Sequence, residues 1–315
     1  MVTLAALPAI VTFQFPATLE VAGLSVRWET LIGAAAVLLA LLVALSNARG
    51  TPVDASVPAD WPSPGPDDDG QNHLRADDLL YIAVAALPGA VAGGRLGYAL
   101  IHLDYYGANP AALLDATRGG LELSMGVAGG TITAVVAAML LGAPVGRWLH
   151  ALAMPLLMLL ALVKVAMLFG GSGQGVPSDF SLATRYLGPG PWGSLAPEIP
   201  SLPSQAMEAL ATVLAGGLAW FFMAVGVFRR RNGAAYFLAV GLWALARALV
   251  AATWRDPAVV WGLSAAQLLA LGLAVACALV VIGLATAADA EDRTSGAGGD
   301  NEGEGGGDAL AWPTR

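Results

Sequence analysis

Residues 89–106 read GAVAGGRLGYALIHLDYY, and they close an apolar run that begins at Leu79. The run is long enough to cross a bilayer, which takes about 20 predominantly apolar residues. Arg95 stands inside it, at a depth where a lone charge costs roughly 2.5–3.5 kcal/mol on insertion scales. A charge is kept there when a bundle interior, a partner group or a lipid headgroup receives it, or when its stem snorkels to the interface. Four small residues flank it (Ala92, Gly93, Gly94, Gly97), and they let a neighbouring helix or a ligand approach the backbone. Tyr98 adds a hydroxyl about one turn further on.

The rest of the 315 residues has the same character. The chain is 57% hydrophobic and only 12% charged, with a mean hydropathy of +0.68. Soluble domains carry roughly 25% charged residues, so the composition predicts a polytopic membrane protein. The formal charge of −8 is no signal for partners, because much of the acid lies in Asp67–Asp69, Asp77 and Asp78 and in a tail from Asp289 to Asp308. Such runs read as solvated segments, and nothing supports nucleic-acid binding. Cys277 is the single cysteine, and His73, His102 and His150 have no ligand spacing. No metal or other cofactor is therefore expected. The N-terminus has no basic n-region and no small-residue cleavage site, so no signal peptide is expected.

Seven spans are predicted, at 30–46, 79–103, 122–142, 148–169, 206–228, 234–253 and 258–286. An interfacial or extramembrane segment, 1–29, precedes them. Residues 47–78 carry five prolines and a run of acids and read as a flexible loop. Residues 104–121 and 170–205 are polar connections. The chain divides into a membrane domain, 1–286, and a Gly/acidic tail, 287–315, expected to be disordered. Arg229, Arg230 and Arg231 give the strongest topological signal. The positive-inside rule places their loop in the cytoplasm, with the C-terminus on the same side and the N-terminus outside.

Lys164, Glu208 and Arg247 also lie in or at the edges of spans, and Glu122 opens the third. With Arg95, three cations and two carboxylates then sit at similar depth. They form an internal charge network, or they receive an anionic headgroup, since Arg and Lys pair well with phosphate. The excess of cations and the adjacent small residues favour an anion site.

The order of segments brings in a family. LEVAGLSVRWETLIGAAAVLLALLVAL and DDLLYIAVAALPGAVAGGRLGYALIH come first, then GGLELSMGVAGG, LVKVAMLFGGSGQG, LPSQAMEAL, LARALVAATWRDP and LSAAQLLAL. Over roughly residues 14–285 the chain resembles the prolipoprotein diacylglyceryl transferases, seven-span bacterial inner-membrane enzymes that lipidate the lipobox cysteine of preprolipoproteins. The resemblance implies transfer of diacylglyceryl from phosphatidylglycerol, or another anionic phospholipid, to a cysteine in a preprolipoprotein signal peptide. It implies headgroup contacts from Arg95, Gly97, Tyr98, Gly126, Lys164, Gly171, Ser204, Gln205 and Arg247, and chemistry from Glu208, Ser124 and Lys164.

The sequence departs from the family pattern where protons are handled. Ser124 stands at the motif histidine, Lys164 at the fourth-span arginine, Met167 at the motif asparagine and Ser172 at the motif glutamate. Glu29 stands at a first-span tyrosine, and Ala251 at a carboxylate position after the sixth-span arginine. Glu208 is the leading base candidate, with Glu29 and Glu122 behind it, and Glu208 reads equally as a counter-ion to Arg247. Three functions follow: a divergent diacylglyceryl or related lipid-headgroup transferase, a paralogue without the family's catalysis that binds phospholipid as an accessory protein, or a small transporter or channel built on the same span pattern.

Overall fold

The computed structural model describes residues 10–53, 73–115 and 120–299. Seven helices in it are long and apolar enough to cross a membrane. They are α1 (Trp28–Arg49), α2 (Ala76–Ile101), α4 (Leu123–Leu140), α5 (Val145–Gly170), α6 (Ser204–Ala224), α7 (Ala234–Ala251) and α8 (Ala265–Gly299). The chain is thus a polytopic all-α membrane protein. Between α2 and α4 lie a six-residue helix, α3 (Leu103–Ala108), and a 3-10 turn at Pro110–Leu114. Of the residues read as polar loops, 54–72 (with Asp67–Asp69) and 116–119 (with Arg118) lie outside the described residues, as does the tail from 300 onward.

Several boundaries move by a few residues because polar groups belong to the helix ends. α2 begins before Leu79 and takes Asp77 and Asp78 into its first turn, where acids favour the helix dipole. The seventh span begins later than expected. Residues 258–264 form a short hairpin of β5 (Ala258–Val260) and β6 (Leu263–Ser264), and Ser264 with Gln267 then starts α8 through reciprocal backbone–side-chain bonds. α8 also runs past residue 286, where the polar tail was expected to begin, to Gly299. The run ATAADAEDR is rich in good helix formers, so a helix already nucleated in the span continues through it.

The small residues around Arg95 serve a helix. A Cβ on Gly93 would collide with the Met125 carbonyl, one on Gly97 would lie 2.7 Å from Met125 Cβ, and one on Gly129 would collide with Gly89. α2 and α4 therefore meet backbone to backbone, as small-residue seams allow in membranes. On the other side Ala36, Ala40, Ala44 and Ala48 form the buried ridge of α1, and its lower half packs with Trp148 and Ala151 of α5. The axis of the bundle is α7. Its apolar stretch is 67% buried, against 17–39% for the other six, so a side chain on it such as Arg247 faces protein.

Short strands fasten the polar connections at one end. β2 (Thr18–Val21) and β3 (Leu24–Arg27) form a hairpin that runs into α1. β1 (Val11–Phe13) pairs in parallel with β4 (Thr184–Tyr186) of the 171–203 connection, which ties that connection to the N-terminal segment. Phe13 stacks on Tyr186 at 4.9 Å, and Trp192 packs against Tyr186 and Phe15.

Candidate functional site

At the end where α4 and α6 begin and α5 and α7 finish, charges from four spans converge. Arg247 on α7 donates from Nε to Ser124 Oγ at 3.1 Å, from Nη1 to Glu208 Oε1 at 2.5 Å and from Nη2 to Glu122 Oε1 at 3.1 Å. Lys164 on α5 reaches Glu208 Oε2 at 2.9 Å. Glu208 is 1% exposed, Glu122 4%, Arg247 5% and Lys164 7%. Two cations thus face two carboxylates in a dry, electroneutral cluster, the arrangement that makes buried charges tolerable.

Local sequence explains each position. Glu122 is the N-cap of α4, where its carboxylate accepts the amides of Ser124 and Met125 at 2.9 and 2.7 Å, and its own amide binds the Gly94 carbonyl of α2. Gly97 lies against the Glu122 Cβ, so the glycine seam also sets how deep this carboxylate sits. Glu208 lies one turn inside α6, whose start is fixed by Pro203 and Ser204. Over the cluster lies Trp254, with its ring 4.6 Å from Arg247 Cζ and 5.8 Å from Lys164 Nζ. These cation–π contacts shield both cations from one side.

The cluster keeps hydrogen-bonding capacity. A guanidinium has five N–H donors and an ammonium three. Among the described residues Arg247 has three acceptors and Lys164 one. Two N–H groups on each have no acceptor there.

Arg95 stands apart from this cluster. It is half-buried and donates from Nε to the Leu113 carbonyl at 3.0 Å and from Nη2 to the carbonyls of Ala112 and Asp115 at 2.8 and 2.7 Å. Tyr106 lies beneath it at 5.5 Å. Arg95 therefore clamps the 3-10 turn onto α2. Tyr98 belongs to the same collar, packed on His102 and Tyr106 and above Gly120.

The other predicted residues lie around the 171–203 connection or in the glycine seam. Ser204 Oγ pairs with Thr253 Oγ1 at 2.6 Å, and Gln205 Nε2 donates to the Tyr186 hydroxyl, which donates to the Leu168 carbonyl at 2.7 Å. Burial pushes the Tyr186 phenol up to about 12 against the opposing hydrogen bonds of Gln205 and Thr184, so it stays a donor at neutral pH. Gly171 ends α5 at φ +70, packed on Trp192, a left-handed position that favours glycine. Gly126 faces Gly94 and the Ala90 carbonyl in the seam. Ser172 and Glu29 also touch. Ser172 Oγ donates to Glu29 Oε2 at 2.9 Å, and Arg27 binds the same oxygen at 3.0 Å.

Sequence reading passes over Trp254, which follows the apolar sixth span and reads as a turn residue. Its only signal is that aromatics rank with Arg in cation contacts. Among the described residues no group of three or more His, Cys, Asp or Glu is placed to hold a metal ion.

A bundle of seven apolar helices enclosing a neutral ion cluster under an ordered polar cap defines an integral membrane protein with a buried polar site at one end. The particular lineage comes from comparison. Residues 16–283 match the family model of the prolipoprotein diacylglyceryl transferases, and the chain belongs to that family. It is 31% identical over 199 residues to a phosphatidylglycerol–prolipoprotein diacylglyceryl transferase of Geobacter sulfurreducens, covering 61% of this chain and 70% of that one. Proteins of the same name from Synechococcus elongatus and Clostridium novyi are each 26% identical, over 164 and 118 residues. The chain spans 50% and 38% of their respective lengths.

Proposed function

We propose that this protein transfers diacylglyceryl from phosphatidylglycerol to the lipobox cysteine of a preprolipoprotein signal peptide in the bacterial plasma membrane. The observation that carries the reading is the Arg247–Glu208–Lys164–Glu122 cluster with its unspent donors, in a chain of this family. In the reaction a sulfur–carbon bond forms at the glyceryl carbon, the carbon–oxygen bond to phosphate breaks, and glycerol phosphate leaves with the electron pair. The thiol gives up its proton, since the thiolate is the nucleophile. Arg247 and Lys164 take the growing charge on the leaving phosphate, an electrostatic role that is largest where water is excluded. Lys164 does this as a point charge without a guanidinium's bidentate fork.

Three carboxylates compete for the proton. Glu208 and Glu122 are each committed to buried ion pairs, so they position the cations. Glu29 also pairs, with Arg27, but that pair is partly exposed, and Glu29 lies against Gly170, a residue roughly 9 Å of helix rise from Lys164. We assign it the thiol proton. Ser124 orients Arg247, and a hydroxyl takes up no proton near neutral pH. The triple arginine 229–231 supports a cytoplasmic location for the opposite end, which turns the cluster towards the outer leaflet.

The second reading, a phospholipid-binding paralogue, is favoured by the full neutralisation of both cations inside the bundle. Expression in cells depleted of their own transferase separates the two. Restored lipoprotein lipidation that is lost with Arg247→Gln supports the enzyme. Failure to restore it at normal membrane level, with phosphatidylglycerol still bound by the purified protein, overturns it.

A further inference from the structure

The end of the bundle opposite the charge cluster holds a cavity of about 480 Å³ between α1, α5 and α6. Its polar lining includes Arg231, His150, Asn47, Ser46 and Thr51, and its apolar lining includes Val43, Met154 and Trp220. No aspartate or glutamate lines it, in contrast to the neutralised cluster at the other end.

Two nitrogen atoms here are buried without a partner among the described residues, Nη1 of Arg231 and Nδ1 of His150. Buried polar atoms in folded proteins are nearly always satisfied, and those that are not commonly mark a missing water, ion or ligand. Arg231 also holds an unusual backbone, with φ +47, a region non-glycine residues seldom enter. Its amide closes a turn on the Phe228 carbonyl at 3.1 Å. Asn47 donates from Nδ2 to the Ala151 carbonyl at 2.9 Å, and it makes no hydrogen bond to either nitrogen. A cationic side chain, an imidazole and an empty volume of this size therefore converge with no internal counter-charge.

The polar groups come from α1 residues near its C-terminal end, the first turns of α5 and the triple-arginine connection. Val43 and Met154 lie further along α1 and α5, towards the middle of the spans, and Trp220 lies on the last turns of α6. Trp220 is 60% exposed on the outer surface of the bundle, so the apolar part borders lipid. This polarity, anion-seeking at the helix ends and apolar towards the membrane interior, fits a phosphate carried on an acyl chain.

We propose that this cavity binds a phosphate group through Arg231 and His150, and that its source is the headgroup of an anionic phospholipid in the leaflet on the Arg229–Arg231 side. The site is separate from the Arg247 cluster and does not depend on the transfer reaction.

The test is native mass spectrometry of the full chain released from micelles, titrated with phosphatidylglycerol, with phosphatidylcholine, or with inorganic phosphate. Arg231→Gln is expected to weaken one phosphatidylglycerol-binding event by about tenfold or more, the scale of a lost charge-assisted hydrogen bond. Arg231→Lys should recover most of it. Val43→Trp, which fills the apolar part, should weaken the phospholipid to a similar extent and leave inorganic phosphate unchanged. Arg247→Gln serves as the control for the other end and should leave this event intact. Equal lipid affinity in wild type and Arg231→Gln overturns the site. An effect of Arg231→Gln on inorganic phosphate alone, with Val43→Trp silent, overturns the lipid as its source.

Discussion

Removing the negative charge of Glu208 without changing its shape tests whether the buried cluster is held by charge balance. In the native protein two cations face two carboxylates, and Glu208 serves both cations, at 2.5 Å from Arg247 and 2.9 Å from Lys164. Glu208→Gln leaves Arg247 and Lys164 facing Glu122 alone, one uncompensated positive charge in a site where every member is less than a tenth exposed. Breaking a buried pair in this way costs about 3–5 kcal/mol. At about 2–4 °C per kcal/mol for a chain of a few hundred residues, the thermal midpoint in detergent should fall by roughly 6–20 °C. Lys164→Gln should also destabilise, leaving one carboxylate in excess. The double variant restores one cation against one carboxylate, so it should be more stable than the sum of the singles by at least about 1 kcal/mol. Midpoints measured by intrinsic fluorescence on all four proteins complete the cycle. Strict additivity would refute charge balance as the organising force and leave shape packing as the explanation.

Other perturbations separate the parts of the fold. Gly93→Leu should abolish stable accumulation in the membrane, because its side chain meets the Met125 backbone, whereas Gly33→Ala, with nothing within 4 Å, should accumulate normally. Arg95→Ala should leave the thermal midpoint within a few degrees of wild type but raise hydrogen exchange at residues 110–115, whose carbonyls it clamps. Ser124→Ala leaves the Arg247 Nε–H without its acceptor, an expected loss of about 1–3 kcal/mol in the same melting assay. Glu29→Gln should lower transfer while leaving phosphatidylglycerol binding unchanged, and recover in part as the assay pH is raised and the thiol ionises unaided. Unchanged transfer would remove Glu29 from the chemistry.

The seven spans were legible because bilayer thickness imposes a length and an apolarity that the chain displays openly. Their ends were less so: Asp77 and Asp78 look like loop residues in a hydropathy plot, yet they are favourable in the first turn of α2. Arg95 and Arg247 read alike in sequence, each a lone arginine in an apolar run. Their described partners distinguish them: Arg95 reaches three backbone carbonyls, and Arg247 reaches two carboxylates and a serine. The glycines beside Arg95 were compatible with a ligand or a helix, and Cβ-free contact with α4 decides for the helix. Trp254 carried no signal beyond its aromatic ring, because its role depends on α5 and α7 ending at the same height. Lys164, Glu208 and Arg247 were found because charge is rare in spans, a scarcity that needs no fold to be read.

The glycine seam bears on how the protein is made. α2 and α4 are consecutive spans, and their contact is largely backbone on backbone, so it closes with little loss of side-chain rotamer freedom. Arg95 clamps the turn that links them. The seam itself draws on no residue from α5 onward. The pair can form as a finished hairpin while the ribosome is still synthesising the later spans, presenting Glu122 in place before Arg247 has been translated.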